Sequence, residues 1–371
     1  MPNLVLSEAM DSFLAGEDPA TVVMSLAGDR LIASLAAAGG ASNAGTCYLA
    51  TTRATSGTFT VKTSTGYARL VNPDNTLGAQ VGTGVAGNDI TLTIPASGLH
   101  RAYGIISVAN GGSTRSGNIT YLYINSNQLT AFSGTGLSAL VDLSLSSNQL
   151  TTFSGTGLSA LTYLDLYNNQ LTTFSGTGLS ALTTLSLYSN QLTTFSGTGL
   201  SSLTYLNLNN NLLTAFSGTG LSALVGLSLY SNQLTTFSGT GLSSLTSLYL
   251  SSNLLTTFSG TGLSALTDLY LNNNLLTEFS ATGISALTNL SIQDNNLTSI
   301  LATGLNLSFT YYNSGSDIGD NDLSLAALQA FVDSLAVTTT GIIEYGGNPG
   351  STAFAAWLNA GNDKGYIWYD T

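Results

Sequence analysis

For residues 119–301 the sequence predicts a solenoid of short stacked coils, with a parallel sheet along the concave side and turns or a single 3₁₀ turn on the convex side. Three observations predict it. First, Asn127, Asn148, Asn169, Asn190, Asn211, Asn232, Asn253, Asn274 and Asn295 follow one another at 21-residue steps, each inside the same sentence, LxxLxLxxNxLTxFSGTGLSA. Second, Leu143 and Leu145 alternate with Asp142, Ser144 and Ser146, the period of two of a strand with one apolar face. Third, the Ser-Gly-Thr-Gly run between Phe and the next Leu is too short and too rich in glycine for an α-helix, so the return path is made of turns.

Each element of the coil follows from what recurs between copies. Leu140, Leu143, Leu145, Leu150, Phe153 and Leu158 have counterparts in nearly every copy. One coil cannot bury them, so stacking of neighbours makes the core. The asparagine sits where the chain leaves the strand. A buried amide there needs hydrogen-bond partners, and backbone groups of adjacent coils can supply them, which makes the nine asparagines a structural ladder. The aromatic column Phe132, Phe153, Phe174, Phe195, Phe216, Phe237, Phe258 and Phe279 is expected to stack as a spine, closed by Ile300.

The positions that change from copy to copy are those expected to face outward from the strands. One column reads Tyr121, Asp142, Tyr163, Thr184, Tyr205, Gly226, Ser247, Asp268, Asn289. The next reads Tyr123, Ser144, Asp165, Ser186, Asn207, Ser228, Tyr249, Tyr270, Ser291, and the third Asn125, Ser146, Tyr167, Tyr188, Asn209, Tyr230, Ser251, Asn272, Gln293. Rigid amphipathic rings among short hydrogen-bonding groups are the vocabulary of adaptable recognition surfaces. Solvated strands favour many of the same residue types. The candidate ligand-binding residues are Tyr121, Tyr123, Tyr163, Asp165, Tyr167, Tyr188, Tyr205, Asn207, Asn209, Tyr230, Tyr249, Tyr270 and Asn272. Nine strands at about 4.8 Å each make a face roughly 40 Å long, a size for a protein or an extended glycan.

The bulk properties exclude several classes. The 371 residues are 43% hydrophobic and only 7% charged, ample for a core. The net charge is −12, and no Lys or Arg stands between Arg115 and Lys364, so nucleic acid and anionic membranes are poor partners for the array. Cys47 is the only cysteine and His100 the only histidine, which leaves no internal disulfide, no histidine-based metal cluster and no Ser-His-Asp triad beyond that one ring. Acids such as Asp165 and Asp268 lie too many coils apart to act as a pair. No catalytic residue, cofactor or metal is expected.

Outside the array, residues 1–43 read as an N-terminal helical attachment segment. Ser7 caps one short helix, and Asp18-Pro19 opens another that runs to about Ala38. Asp29 and Arg30 interrupt its apolar run and no basic region precedes it, so it reads as neither a signal peptide nor a membrane span. Residues 44–118, with Phe59-Val61, Tyr67-Arg69, Ile90-Leu92-Ile94 and a last strand Tyr103–Val108, form a small β-domain that caps the array. Residues 302–371 make irregular repeats and an α/β C-terminal cap. Asn321 and Asn348 mark two longer units, with helices over Ser324–Leu335 and from Ser351 through Leu358, and a closing strand Tyr366–Tyr369. Asp317, Asp320, Asn321 and Asp322 have the hard oxygen ligands that calcium prefers, but no glycine-turned loop with a terminal Glu follows, and a solvated turn is favoured.

The LxxLxLxxNxL core resembles bacterial leucine-rich repeat proteins such as the internalins. More narrowly, GNITYLYINSNQLT after an all-β lead-in and the ending NPG…AAWLNAGNDKGYIW resemble leucine-rich repeat proteins found in bacteriophage and some bacterial genomes. The resemblance implies a leucine-rich repeat solenoid and a non-enzymatic adhesion or recognition role on a virion or cell surface. The concave face then meets a host-surface protein or glycan, and residues 1–118 meet a virion or other assembly partner. A decoration, fibre or scaffold protein without a dedicated ligand is the alternative, and an extracellular or cytoplasmic location the alternative to the virion. Phe and Ser-Gly-Thr-Gly stand where internalins usually continue with leucines, so their curvature does not carry over.

Overall fold

A computed structural model of the chain describes residues 46–51, 57–63, 67–71, 77–82, 90–94, 98–103, 105–108, 119–125, 129–132, 134, 137–303, 305, 316–335, 342–358 and 367–369. The helical segment expected over residues 1–43 lies outside the described residues, as does Asn127. The chain divides into two compact units, Met1–Leu208 and Asn209–Thr371, with the boundary inside the repeats.

In the first unit the strands Asp142–Ser144, Tyr163–Asp165, Thr184–Ser186 and Tyr205–Asn207 pair in parallel. The register has no offset: Asp142 faces Tyr163, Tyr163 faces Thr184, and Thr184 faces Tyr205. A step of 21 residues therefore puts equivalent positions side by side, and the sequence columns are columns in space. In the second unit Gly226–Ser228, Ser247–Tyr249, Asp268–Tyr270 and Asn289–Ser291 repeat the arrangement. Backbone bonding continues past each short strand, as in Leu145 N–H to Asp165 O at 2.8 Å and Ser147 N–H to Tyr167 O at 2.7 Å.

The inward side of each coil is dry. Leu140, Leu143, Leu145, Leu150 and Leu158 are all 0% exposed, and so are their counterparts from Leu161 to Leu171. Phe132, Phe153, Phe174 and Phe195 stack at 6.0–6.2 Å with nearly parallel rings. Phe216, Phe237, Phe258 and Phe279 do the same in the second unit, where Phe279 pairs with Ile300 across a two-stranded ladder. The return path is turns: Leu158 N–H bonds Gly155 O, and Leu161 N–H bonds Leu158 O, both at 3.0 Å. The two glycines of each Gly-Thr-Gly have separate reasons. A Cβ at Gly176 would stand 2.6 Å from Leu200 Cγ, whereas Gly178 has φ +87° and a Cβ there would stand 2.7 Å from Gly155 O.

Asn190 shows how coils are tied. Its Oδ1 accepts from Leu171 N–H at 3.0 Å, and its Nδ2 donates to Leu166 O of the preceding coil and to Leu187 O and Tyr188 O of its own. Asn148, Asn169, Asn253, Asn274 and Asn295 bridge in the same way. The chain enters these six, and likewise Asn211 and Asn232, through a left-handed residue, Ser147, Asn168, Ser189, Asn210, Ser231, Ser252, Asn273 or Asp294, with φ between 50 and 57°. That conformation restricts the position to the short polar types seen there.

The expected β-domain holds more strands than the alternation predicts. Thr46–Thr51 and Leu77–Gly82 are strands although neither alternates cleanly, and the single strand expected over Tyr103–Val108 is two, Gly98–Tyr103 and Ile105–Val108, in different sheets. Both sides of the first coil are thereby extended. Thr46–Thr51 pairs antiparallel with Ile119–Asn125, while Ile105–Val108 pairs in parallel with Ala131–Phe132.

At the other end Asn321 and Asn348 continue the asparagine ladder, accepting from Leu297 N–H and Leu323 N–H. Helix α1, Leu325–Ser334, is capped by Ser324 Oγ on Ala327 N–H and buries Leu328, Phe331 and Val332. Helix α2, Ser351–Trp357, buries Phe354 edge-on against Tyr345. Strands Ser316–Asp317, Ile342–Glu344 and Ile367–Tyr369 extend the parallel sheet. No helix of the described residues is long and apolar enough to cross a membrane.

Candidate functional site

Aligned columns place the variable residues together on the strand face, but not all at the same depth. In the first unit Tyr123, Tyr163, Tyr167, Tyr188 and Tyr205 are half-buried, while between them Asp165 and Asn207 are only 4% and 2% exposed. The side chain of Tyr121 lies outside the described residues. Tyr167 and Tyr188, neighbours in one column, stack at 4.8 Å. The rings thus form an upper layer over a polar floor. Asp165 is held in that floor by Ser144 Oγ–H at 2.8 Å and Tyr167 N–H at 3.0 Å.

Burial sets the charge of this region. Desolvation raises the Asp165 carboxyl above its ordinary pKa, opposed by hydrogen bonds from Tyr167 N–H, Ser144, Ser146 and Ser186. Tyr163 is also raised, first by desolvation and then by the negative charges of Asp165 and Asp142, so its hydroxyl stays a proton donor through the neutral range.

In the second unit Tyr249 and Tyr270 stack at 4.6 Å, with rings 3° from parallel, and are half-buried. Tyr230 is 39% exposed. Asn209, by contrast, is 0% exposed: its Oδ1 accepts from Ser228 Oγ–H and from Tyr230 N–H at 2.8 Å. Asn272 is half-buried, its Oδ1 accepting from Ser251 Oγ–H. Among the described side chains of the predicted contact residues, then, Tyr123, Tyr163, Tyr167, Tyr188, Tyr205, Tyr230, Tyr249, Tyr270 and Asn272 are reachable, while Asp165, Asn207 and Asn209 lie below them. Alternation alone carries no signal for this difference, because it gives the side of a strand and not the height of the neighbouring side chains.

Two features of the surface were not anticipated. Thr162, Thr183 and Thr204 send Oγ1–H to the carbonyl 21 residues earlier at 2.9–3.0 Å, a hydroxyl ladder along the entry to the strands. Leu212, Leu254 and Leu275 are 43–46% exposed at the position after the ladder asparagine. Gln149, Gln170, Gln191 and Gln233 occupy it in other copies, and that substitution was the readable signal. Asn321 belongs to the ladder, and among the described residues no group of three or more His, Cys, Asp or Glu is placed to hold a metal ion.

Sequence comparison assigns the repeats. A leucine-rich repeat family model matches residues 117–171, and a two-copy leucine-rich repeat model matches 159–197 and 180–223. Residues 117–223 are therefore leucine-rich repeats, and the coils that follow to Leu301 keep the same 21-residue pattern. No curated protein matches the chain. Among solved structures it is similar to the functional domain of InlJ from Listeria monocytogenes, at 24% identity and a TM-score of 0.56, over 69% of this chain and 54% of that one. It is also similar to a leucine-rich repeat protein of Leptospira interrogans, at 26% identity and a TM-score of 0.53, over 66% of this chain and 64% of that one. The chain therefore spans between half and two-thirds of these two structures. A third likeness, at 22% identity and a TM-score of 0.60 over 71% of this chain and 86% of that one, is to a chain from an octameric complex of latrophilin 3, Unc5D and the leucine-rich repeat protein FLRT2. The InlJ domain includes a cysteine ladder. Here Cys47 lies outside the array and the ladder is of asparagine.

Proposed function

We propose that this is a non-enzymatic recognition protein that binds a host-surface protein or glycan through its strand face. One observation carries the reading: side chains vary from coil to coil on that face, while the Phe, Gly and Asn positions that build the coil barely change. A scaffold that only set a length would have no reason to confine its variation to one face. Paired tyrosines on a hydrogen-bonded polar floor are rigid, so ordering them on binding costs little. Solved leucine-rich repeat proteins with protein partners, such as FLRT2 in its complex, support a binding role. Placement on a bacteriophage virion, with residues 1–118 as the attachment, rests on the sequence likeness at the two ends of the array.

The test is binding of the full-length protein to whole bacterial cells and to a glycan array, beside a variant carrying Tyr163→Ser, Tyr167→Ser, Tyr188→Ser and Tyr205→Ser. Each aromatic anchor lost from a hot spot costs about 2 kcal/mol or more. Binding by the parent that the variant loses is the expected result. If parent and variant bind equally, or neither binds while the parent adheres to a capsid or tail protein, the architectural role replaces this one.

A further inference from the structure

The second unit's strand face carries no positive charge, and several of its donors are turned along the face to its own acceptors. Asp268, Asn289 and Ser291 stand on neighbouring strands beside the Tyr249–Tyr270 stack. Asn289 Nδ2 donates to Asp268 Oδ1, and Thr267 Oγ1–H donates to Asp268 Oδ2 at 2.6 Å. The hydroxyls of Ser251 and Ser291 are turned along the face, to Asn272 Oδ1 and Gln293 Oε1. Asn289, 8% exposed, is left with its Oδ1 shielded from solvent and meeting no donor. A buried acceptor without a donor is a cost to the fold, removed when the amide turns out to meet an incoming N–H. Nor can the array supply a cation, because Asp142, Asp165, Asp268, Glu278 and Asp294 are its acids and residues 116–363 contain no Lys or Arg.

We propose that this patch takes an arginine side chain of a basic polypeptide partner, whose guanidinium bonds Asp268 and Asn289 beside the Tyr249–Tyr270 stack. The chemistry selects the occupant. A guanidinium carries five N–H donors and no acceptor, which complements the carboxylate of Asp268 and the amide oxygen of Asn289, and its flat cation packs against tyrosine. A neutral glycan brings as many acceptors as donors, and an acidic one adds repulsion. The inference rests on the recognition reading above and narrows its partner to a protein with exposed arginine.

The experiment is fluorescence anisotropy of the full-length protein with a labelled Gly/Ser peptide bearing three arginines, against the same peptide with citrulline in their place. Citrulline keeps the shape and loses the charge. The arginine peptide is expected to bind at least tenfold tighter, with binding weakening as salt rises. Asp268→Asn should remove at least tenfold, while Glu278→Gln, an equal change of charge at an exposed residue of the same unit outside the strand-face columns, should leave it nearly unchanged. Equal binding of the two peptides overturns the proposal, as does equal loss in the two variants, which would mean diffuse attraction and no site. The peptide contrast uses the unaltered protein and so stands even if a variant folds poorly. Loss of cell or glycan binding in the tyrosine variant, with no preference for arginine, overturns this inference and leaves the recognition reading in place.

Discussion

On the Phe side of the coil at Gly176 a single methyl has nowhere to go, whereas on the strand side a tyrosine replaces a serine from one coil to the next and the neighbours absorb it. At Gly176 an added Cβ would press on Leu200 at 2.6 Å, and in the stack beside it Phe153, Phe174 and Phe195 are almost evenly spaced. Across the coil, the middle column passes through Ser144, Asp165, Ser186 and Asn207 with no break in register. The difference lies in what each side chain must touch. Residues turned inward are packed by two coils at once, so a change needs a matched change 21 residues away. On the strand face the tyrosines have open space on one side, and the middle column beneath them is built of short polar groups that bond one another, as Ser144 does Asp165, so each copy is free to differ.

The ladder is where this contrast breaks most sharply. Asn190→Ala orphans the buried N–H of Leu171 and removes a donor from three carbonyls. Leu166 O keeps Asn169 Nδ2 and Tyr188 O keeps Asn168 N–H, so with about 1–3 kcal/mol for the orphaned N–H and about 0.5–1.5 kcal/mol for each hydrogen bond lost by the amide, the loss should reach about 4 kcal/mol. Urea denaturation followed by far-UV circular dichroism measures it. Tyr188→Ser, two positions away on the strand face, loses one stacked ring and should cost about 1 kcal/mol. If the two variants unfold at the same urea concentration, the division of labour is wrong.

Gly178→Ala comes next. Alanine at φ +87° costs roughly 1–2 kcal/mol for its backbone alone, and contact with Gly155 O brings the total to about 2–4 kcal/mol. The same denaturation experiment gives the value. An unchanged midpoint would show that the coils can separate slightly at low cost.

How much of this was legible follows the same line. The core leucines, the Phe spine, the ladder and both C-terminal helices come from periods and caps, which are local facts that a stack of equal coils multiplies. What was not legible depends on height and handedness. The left-handed residues before each asparagine look like ordinary polar positions until the turn is seen. Asp165 and Tyr163 look equally open in the alternation, yet Asp165 lies at 4% exposure in the floor. The strand Thr46–Thr51 escaped because it owes its conformation to pairing on both edges, a tertiary cause that overrides its weak pattern.

Asp165 also supplies the finest test of the strand face, since a residue free to vary should not be one the fold depends on. Burial raises its pKa in the folded chain above the ordinary value that it has when unfolded. Between those two values the folded state binds more protons, so this group's contribution to stability is fully present below the ordinary carboxylate value and is lost as pH rises through the raised one. Asp165→Asn keeps an oxygen to accept from Tyr167 N–H and removes the charge. Its effect should be smaller than the three above and opposite in sign: a slight gain over the parent at neutral pH that vanishes in acid. Thermal melts of parent and variant across the acidic range measure the difference. A variant less stable than its parent at neutral pH would place the ionised carboxylate among the supports of the fold, and the floor of the strand face would then belong with the uniform side of the coil.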